Sequence, residues 1–92
     1  MPKYKVIPRM EHFEDGPWNA ILFLPDAPSL PDNVMTYEKI GQHGEAARNY
    51  FSRTRAPHTV SEWQECIDLI EEERTLGPQA DRYEAVIATR IS

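Results

Sequence analysis

Ser61-Glu62-Trp63-Gln64-Glu65-Cys66-Ile67-Asp68-Leu69-Ile70-Glu71-Glu72-Glu73-Arg74-Thr75-Leu76 is the segment from which the architecture reads outward. At about 100° per residue, Trp63, Cys66, Ile67 and Ile70 share one narrow sector, and Leu69 flanks it. The spacing predicts an amphipathic helix over 61–76. Ser61 with Gln64 has capping-box spacing, Glu62 complements the helix dipole, and Gly77-Pro78 is a stop signal. Cys66 lies inside the apolar stripe, where a free cysteine behaves as a small hydrophobe rather than a nucleophile. The nearby Glu62, Glu65 and Asp68 oppose a thiolate.

Upstream, Glu45 to Thr54 reads as a second helix with Ala47, Tyr50 and Phe51 on one side, ended by Pro57. Downstream, Tyr83, Ala85, Ile87, Thr89 and Ile91 alternate with Glu84, Val86, Ala88 and Arg90, which predicts a closing strand. Near the N-terminus, Tyr4, Val6 and Met10 alternate with Lys3, Lys5 and Arg9, a strand with one wet face. Pro8 cannot donate to a ladder, so an edge or a bulge is expected there. Glu14-Asp15-Gly16-Pro17 reads as a turn into Trp18–Leu24, a strand apolar on both alternating faces. Pro25, Pro28 and Pro31 stiffen the loop that follows. Residues 34–40 admit either a strand, from Val34, Thr36, Tyr37 and Ile40, or a short helix capped by Asp32 or Asn33.

The expected fold is therefore α+β, one domain over 1–92. A small, mainly antiparallel sheet of three to four strands carries two amphipathic helices on one face. The element order is β-β-(β or short α)-α-α-β.

Composition narrows the function. The chain has 92 residues, ten Lys plus Arg against fifteen Asp plus Glu, and one cysteine. A lone cysteine excludes an internal disulfide and a multi-thiolate metal cage. The apolar run Ala20–Leu24 is far short of the ~20 residues that span a bilayer, so no membrane role is expected. No hydrophobic leader follows Met1-Pro2-Lys3-Tyr4, and a cytoplasmic protein is the expectation. The net charge of −5 weighs against direct nucleic-acid binding. That charge is unevenly placed. Residues 1–10 sum to +3, 11–45 to −6, 46–58 to +3 and 59–76 to −5, and the rest balance.

Two segments attract functional readings. The acidic side of the predicted long helix (Glu62, Glu65, Asp68, Glu72) and the basic patch between Arg48 and Arg55 are candidate contact surfaces. They suit a non-enzymatic protein-interaction or regulatory module with an unidentified protein partner. An alternative lies in Gly41-Gln42-His43-Gly44-Glu45, read as a loop before a helix N-terminus. There Gly41, Gln42, His43, Gly44 and Arg48 would hold a small ligand or anion, with His43 and Glu45 as catalytic candidates. Gly-x-x-Gly between helices also clamps nucleotides in KH domains, but Gln42 and His43 supply no lysine or arginine to such a clamp. The three histidines show no paired metal-ligand spacing, and neither a metal nor a cofactor is expected. Two copies pairing through an edge strand, Tyr4–Met10 or Tyr83–Ile91, is a further expectation.

Overall fold

The computed structural model of the chain describes residues 3–39, 42–76 and 84–91. Strands β1 (Lys3–Glu11), β2 (Asn19–Leu24), β3 (Asn33–Glu38) and β4 (Gln42–Ala47) lead into a 3-10 helix (Arg48–Arg53). Helix α1 (Val60–Leu76) and strand β5 (Glu84–Ile87) follow. The sheet has five strands in the order β4-β3-β2-β1-β5. β1 to β4 form an antiparallel meander, whereas β5 lies parallel to β1. The α+β class is as expected, but the sheet is mixed and larger than three to four strands.

β1 lies inside the sheet and not at an edge, and its backbone shows how Pro8 is accommodated. Ile7, Arg9 and Glu11 pair with Phe23, Ile21 and Asn19 of β2. On the other side β5 covers Lys3 to Val6, and Ala88 N–H donates to Val6 C=O. A parallel ladder would next need an N–H at position 8, which proline lacks. β5 stops there. Beyond the gap Met10 and Arg55 exchange backbone hydrogen bonds of 2.7 and 3.0 Å. At the other end Pro25 terminates β2, and the Asp26 carboxylate accepts the Lys5 N–H at 2.9 Å. Every donor around the two prolines is thus met or absent.

The strands bury both faces. Val6, Met10, Ala20, Leu22, Leu24 and Tyr37 point to the face covered by α1, where Cys66, Leu69 and Ile70 meet them. Ile7, Ile21, Phe23 and Val34 point to the other face, beneath Tyr50, Phe51, Ala88 and Ile91. The wet face expected of β1 is therefore partly dry, since Ile7 and Glu11 are both buried.

Residues 34–40 resolve as strand through Glu38, with Ile40 outside the described residues. The helix expected over 45–54 is not formed. Gln42 to Ala47 pair with Glu38 to Asn33 as β4, and only then does the chain turn into the 3-10 helix. A ten-residue helix is marginal alone, and strand pairing overrides the helical preference of Ala46 and Ala47. The short helix also lies opposite α1, not beside it, because Phe51 stacks edge-on against Phe23 with ring centroids 5.1 Å apart.

α1 is rotated from its predicted orientation. Cys66, Leu69, Ile70 and Glu73 are buried, while Trp63 and Ile67 remain 38% and 44% exposed. The N-cap is Thr59, whose hydroxyl accepts the Glu62 N–H at 3.1 Å, so Ser61 sits within the first turn. Glu62 binds the His58 N–H at 2.8 Å and takes a bidentate contact from Arg55. The Arg55 guanidinium in turn stacks 4.2 Å above the Trp18 ring. The Gly77-Pro78 stop and Tyr83 lie outside the described residues. The closing strand is shorter than Tyr83–Ile91, ending at Ile87 for the reason given at Pro8.

Thr59→Ala should lower stability by about 1 kcal/mol, the usual worth of a hydroxyl cap, whereas Ser61→Ala should be close to neutral. Urea unfolding of the two variants checks which residue is the cap.

Candidate functional site

Residues 42–45 belong to strand β4 and are not a loop feeding a helix. Gly41 and the side chain of Gln42 lie outside the described structure, and Gly44 sits in extended β4 opposite Thr36. His43, paired with Tyr37 across the ladder, points toward α1. Its Nε2 lies 3.1 Å from Glu73 Oε2, and its ring stands edge-on to Tyr37 with centroids 4.7 Å apart. Glu45 turns to the proline loop, accepting the Leu30 N–H at 2.8 Å and Asn33 Nδ2 at 3.3 Å. Arg48 donates to the Ile91 carbonyl. The three side chains therefore serve three separate partners.

The basic stretch is divided in the same way. Arg48 reaches the C-terminal tail, while Arg55 is held by Glu62 and Trp18. That contact ionises Glu62 readily. The hydrogen bond from Arg55, then the one from the His58 N–H, hold its pKa down at about 2.

The acids of α1 behave differently. Glu65, Asp68 and Glu72 are spaced to share one side of the helix, and they overhang the end of the sheet where β1 and β3 finish and β2 begins. Together with Glu11, Glu38 and Phe13 they line a cleft of about 440 Å³ floored by Ala20 and Leu69. Lys39 is the one cation among its described lining residues. Glu65 also accepts the Ala20 N–H at 3.3 Å, which ties helix to strand at the cleft floor. Phe13, in the β1–β2 turn, is 61% exposed and stands at the mouth. A second cleft of about 430 Å³ lies on the opposite sheet face. Glu11, Phe13 and Glu38 border it too, joined there by Tyr50 and Arg53. The two clefts thus meet around the sheet end.

Glu11 is the hinge between them, and its carboxyl is pushed up where that of Glu62 is held down. It is only 2% exposed. Its Oε1 accepts the Tyr50 hydroxyl at 2.6 Å, and its carboxyl also hydrogen-bonds Glu38. Burial raises its pKa most; the Tyr50 bond works against that, and Glu38 adds to it by sharing a proton and by charge, leaving a value of about 7. Burial and the bond to Glu11 likewise push the Tyr50 phenol upward. A carboxyl that exchanges its proton near neutrality suits either acid–base work or the reception of a cation. Cys66 is the opposite case. Burial first, then Glu65 and Glu62, raise its thiol to about 11, so it packs against Met10 (3.8 Å between sulfurs) as an inert core group.

Glu11, Glu38, Phe13 and Tyr50 were not singled out by sequence pattern. The available signal was that Glu11 follows Ile7 and Arg9 in phase on a strand whose neighbour, Trp18–Leu24, is apolar on both faces. Such a neighbour implies cover on both sides of the sheet, hence a buried acid.

Among the described residues no group of three or more His, Cys, Asp or Glu is arranged to hold a metal ion. No helix there is long and apolar enough to cross a membrane. No family model, curated protein or solved structure matches this chain.

Glu11 makes stability pH-dependent in a defined direction. Below the ordinary carboxylate range the group is protonated in both folded and unfolded chains. Between about 4.5 and about 7 the unfolded chain releases the proton and the folded chain keeps it, so this contribution falls as pH rises. Glu11→Gln retains an acceptor for Tyr50 and a donor for Glu38. The variant should therefore be more stable than the parent above pH 7, by at most ~3 kcal/mol, with the decline across that window abolished. Thermal unfolding followed across pH checks both the sign and the window.

Proposed function

We propose that this protein is a non-enzymatic interaction module that receives a basic segment of a partner protein in the cleft between α1 and the sheet end. The observation that carries this reading is the convergence of Glu65, Asp68 and Glu72 from α1 with Glu11 and Glu38 from the sheet on one cavity. Acids on a solvated helix face have no reason to meet acids from two strands. A cationic occupant would meet carboxylates from both the helix and the sheet. Exposed Phe13 and the apolar floor of Ala20 and Leu69 suit the aliphatic stem and flat head of arginine, which buries its methylenes while its charge meets carboxylates.

The basic patch from Arg48 to Arg55 contributes less than the acids to this reading. Arg55 and Glu62 already neutralise each other, and Arg48 is committed to the tail. The ligand-loop alternative at Gly41, Gln42, His43, Gly44 and Glu45 has weaker support, because His43, Glu45 and Arg48 face different neighbours.

A fluorescent peptide of alternating arginine and leucine is a direct probe. Its anisotropy should rise on titration with the protein, and the affinity should fall steeply as salt is raised. Asp68→Lys with Glu72→Lys should weaken binding at least tenfold; Glu65 is left intact because it also holds the Ala20 N–H. Glu84→Lys, remote from the cleft, should bind like the parent. Equal binding by the double variant, or salt-independent binding, would overturn the assignment.

A further inference from the structure

Among the described residues β5 is an edge of the sheet, and its backbone has a definite polarity. Ala88 N–H donates to Val6 C=O, toward β1. Backbone groups alternate sides along a strand, so those of Glu84 and Val86 also face β1, and those of Ala85 and Ile87 face outward. Among the described residues these outward groups have no backbone partner. Beside them, Ile67 and Ile70 of α1 and Ala85 and Ile87 of β5, together with Glu71, Arg74 and Glu84, line a groove of about 280 Å³. Ile87 is 54% exposed and Val86 is 40% exposed, unusual values for adjacent residues in a strand of this apolarity.

We propose that β5 is the seam of a homodimer, in which a second copy of this chain adds its own β5 antiparallel across a two-fold axis through Val86. The register follows from the hydrogen-bond polarity. Centred on Val86, Ala85 stands opposite the partner's Ile87 and Ile87 opposite the partner's Ala85. These are the two residues whose groups face outward, so each pair exchanges both of its N–H···O bonds. The side chains are self-complementary as well. On the α1 face the small Ala85 meets the large Ile87, and on the other face Val86 meets its own copy. Glu84 falls opposite Ala88, so no like charges oppose each other at the seam. A two-fold axis normal to the sheet keeps both α1 helices on one side, where Ile67 and Ile70 flank the join. A foreign strand would have to reproduce this alternation, whereas a second copy has it by symmetry. β4, the other edge, offers no large apolar side chain to cover. The seam lies away from the acidic cleft, so the proposal stands whether or not that cleft binds a basic segment.

Light scattering coupled to size exclusion, run from micromolar to millimolar protein, should show the mass rising from 10.6 kDa toward twice that value. Ala85→Pro removes an outward N–H at an edge position where proline is tolerated, and should return the monomer mass with the circular dichroism spectrum unchanged. Val86→Cys, on the axis, should cross-link to a covalent dimer under mild oxidation, while Ala85→Cys should not, since buried Cys66 offers no accessible partner thiol. A monomer at every concentration with no Val86→Cys cross-link overturns the proposal. So does a dimer that survives Ala85→Pro and leaves Val86→Cys uncross-linked. If Ala85→Pro fails to fold, the cysteine pair decides alone.

Discussion

The missing N–H of Pro8 is the constraint around which the sheet is arranged. β1 is bonded along both edges, and a proline in such a strand is tolerated only where no partner asks for its hydrogen. The chain meets this by dividing the far edge of β1 between two short partners. β5 ends just before the proline, and Arg55 takes up the ladder just after it, at Met10. Arg55 is then positioned to clasp Glu62 and cover Trp18, which fixes where α1 begins. One absent donor thus sets the length of β5, the path of the chain after the 3-10 helix and the entry of the long helix.

The same arrangement creates the acidic sheet end. Because β1 continues past Pro8 to Glu11, it carries a carboxyl into a region covered by Tyr50 on one side and adjoining Glu38 on the other. α1, entering at Thr59, runs so that Glu65, Asp68 and Glu72 overhang this point. Burial keeps Glu11 protonated into the neutral range, which lessens repulsion within the cluster and permits five acids around one small cavity. The cleft and the fold are therefore not independent features. Near the start of α1, Glu62 is paired with Arg55 and does not join that cluster.

His43 illustrates why reading one segment in isolation misplaces a site. Between two glycines and ahead of an apparent helix, its surroundings resemble those of a ligand loop. Paired in β4, the same residue faces inward and supplies the partner that lets Glu73 be buried on the α1 stripe. This interaction also accounts for the rotation of α1. With Glu73 accommodated, the helix can bury Cys66, Leu69 and Ile70 over the sheet and leave Trp63 and Ile67 partly exposed. Helical periodicity alone assigns a charged Glu73 to solvent and the aromatic Trp63 to the core, because it counts hydrophobicity without knowing what the opposite surface offers.

The local chemistry of the sequence determined the α+β class, the β1–β2 hairpin, the existence of the long helix and the end of β2 at Pro25. These depend on periodicity, turn residues and missing donors, all of which act between near neighbours. Tertiary structure alone decided the fate of residues 42–53, the parallel seat of β5, the face on which each helix packs and the meeting of Glu11 with Glu38. Those outcomes depend on hydrogen bonds and burial between residues far apart in the chain. Ala46 and Ala47 lean toward helix, yet Gln42 to Ala47 become a strand because β3 presents an edge for them to pair with. Likewise, nothing local in Met10-Glu11-His12 marks Glu11 as a neutral acid. It becomes one only where Tyr50 and Glu38, distant in sequence, close around it and exclude water.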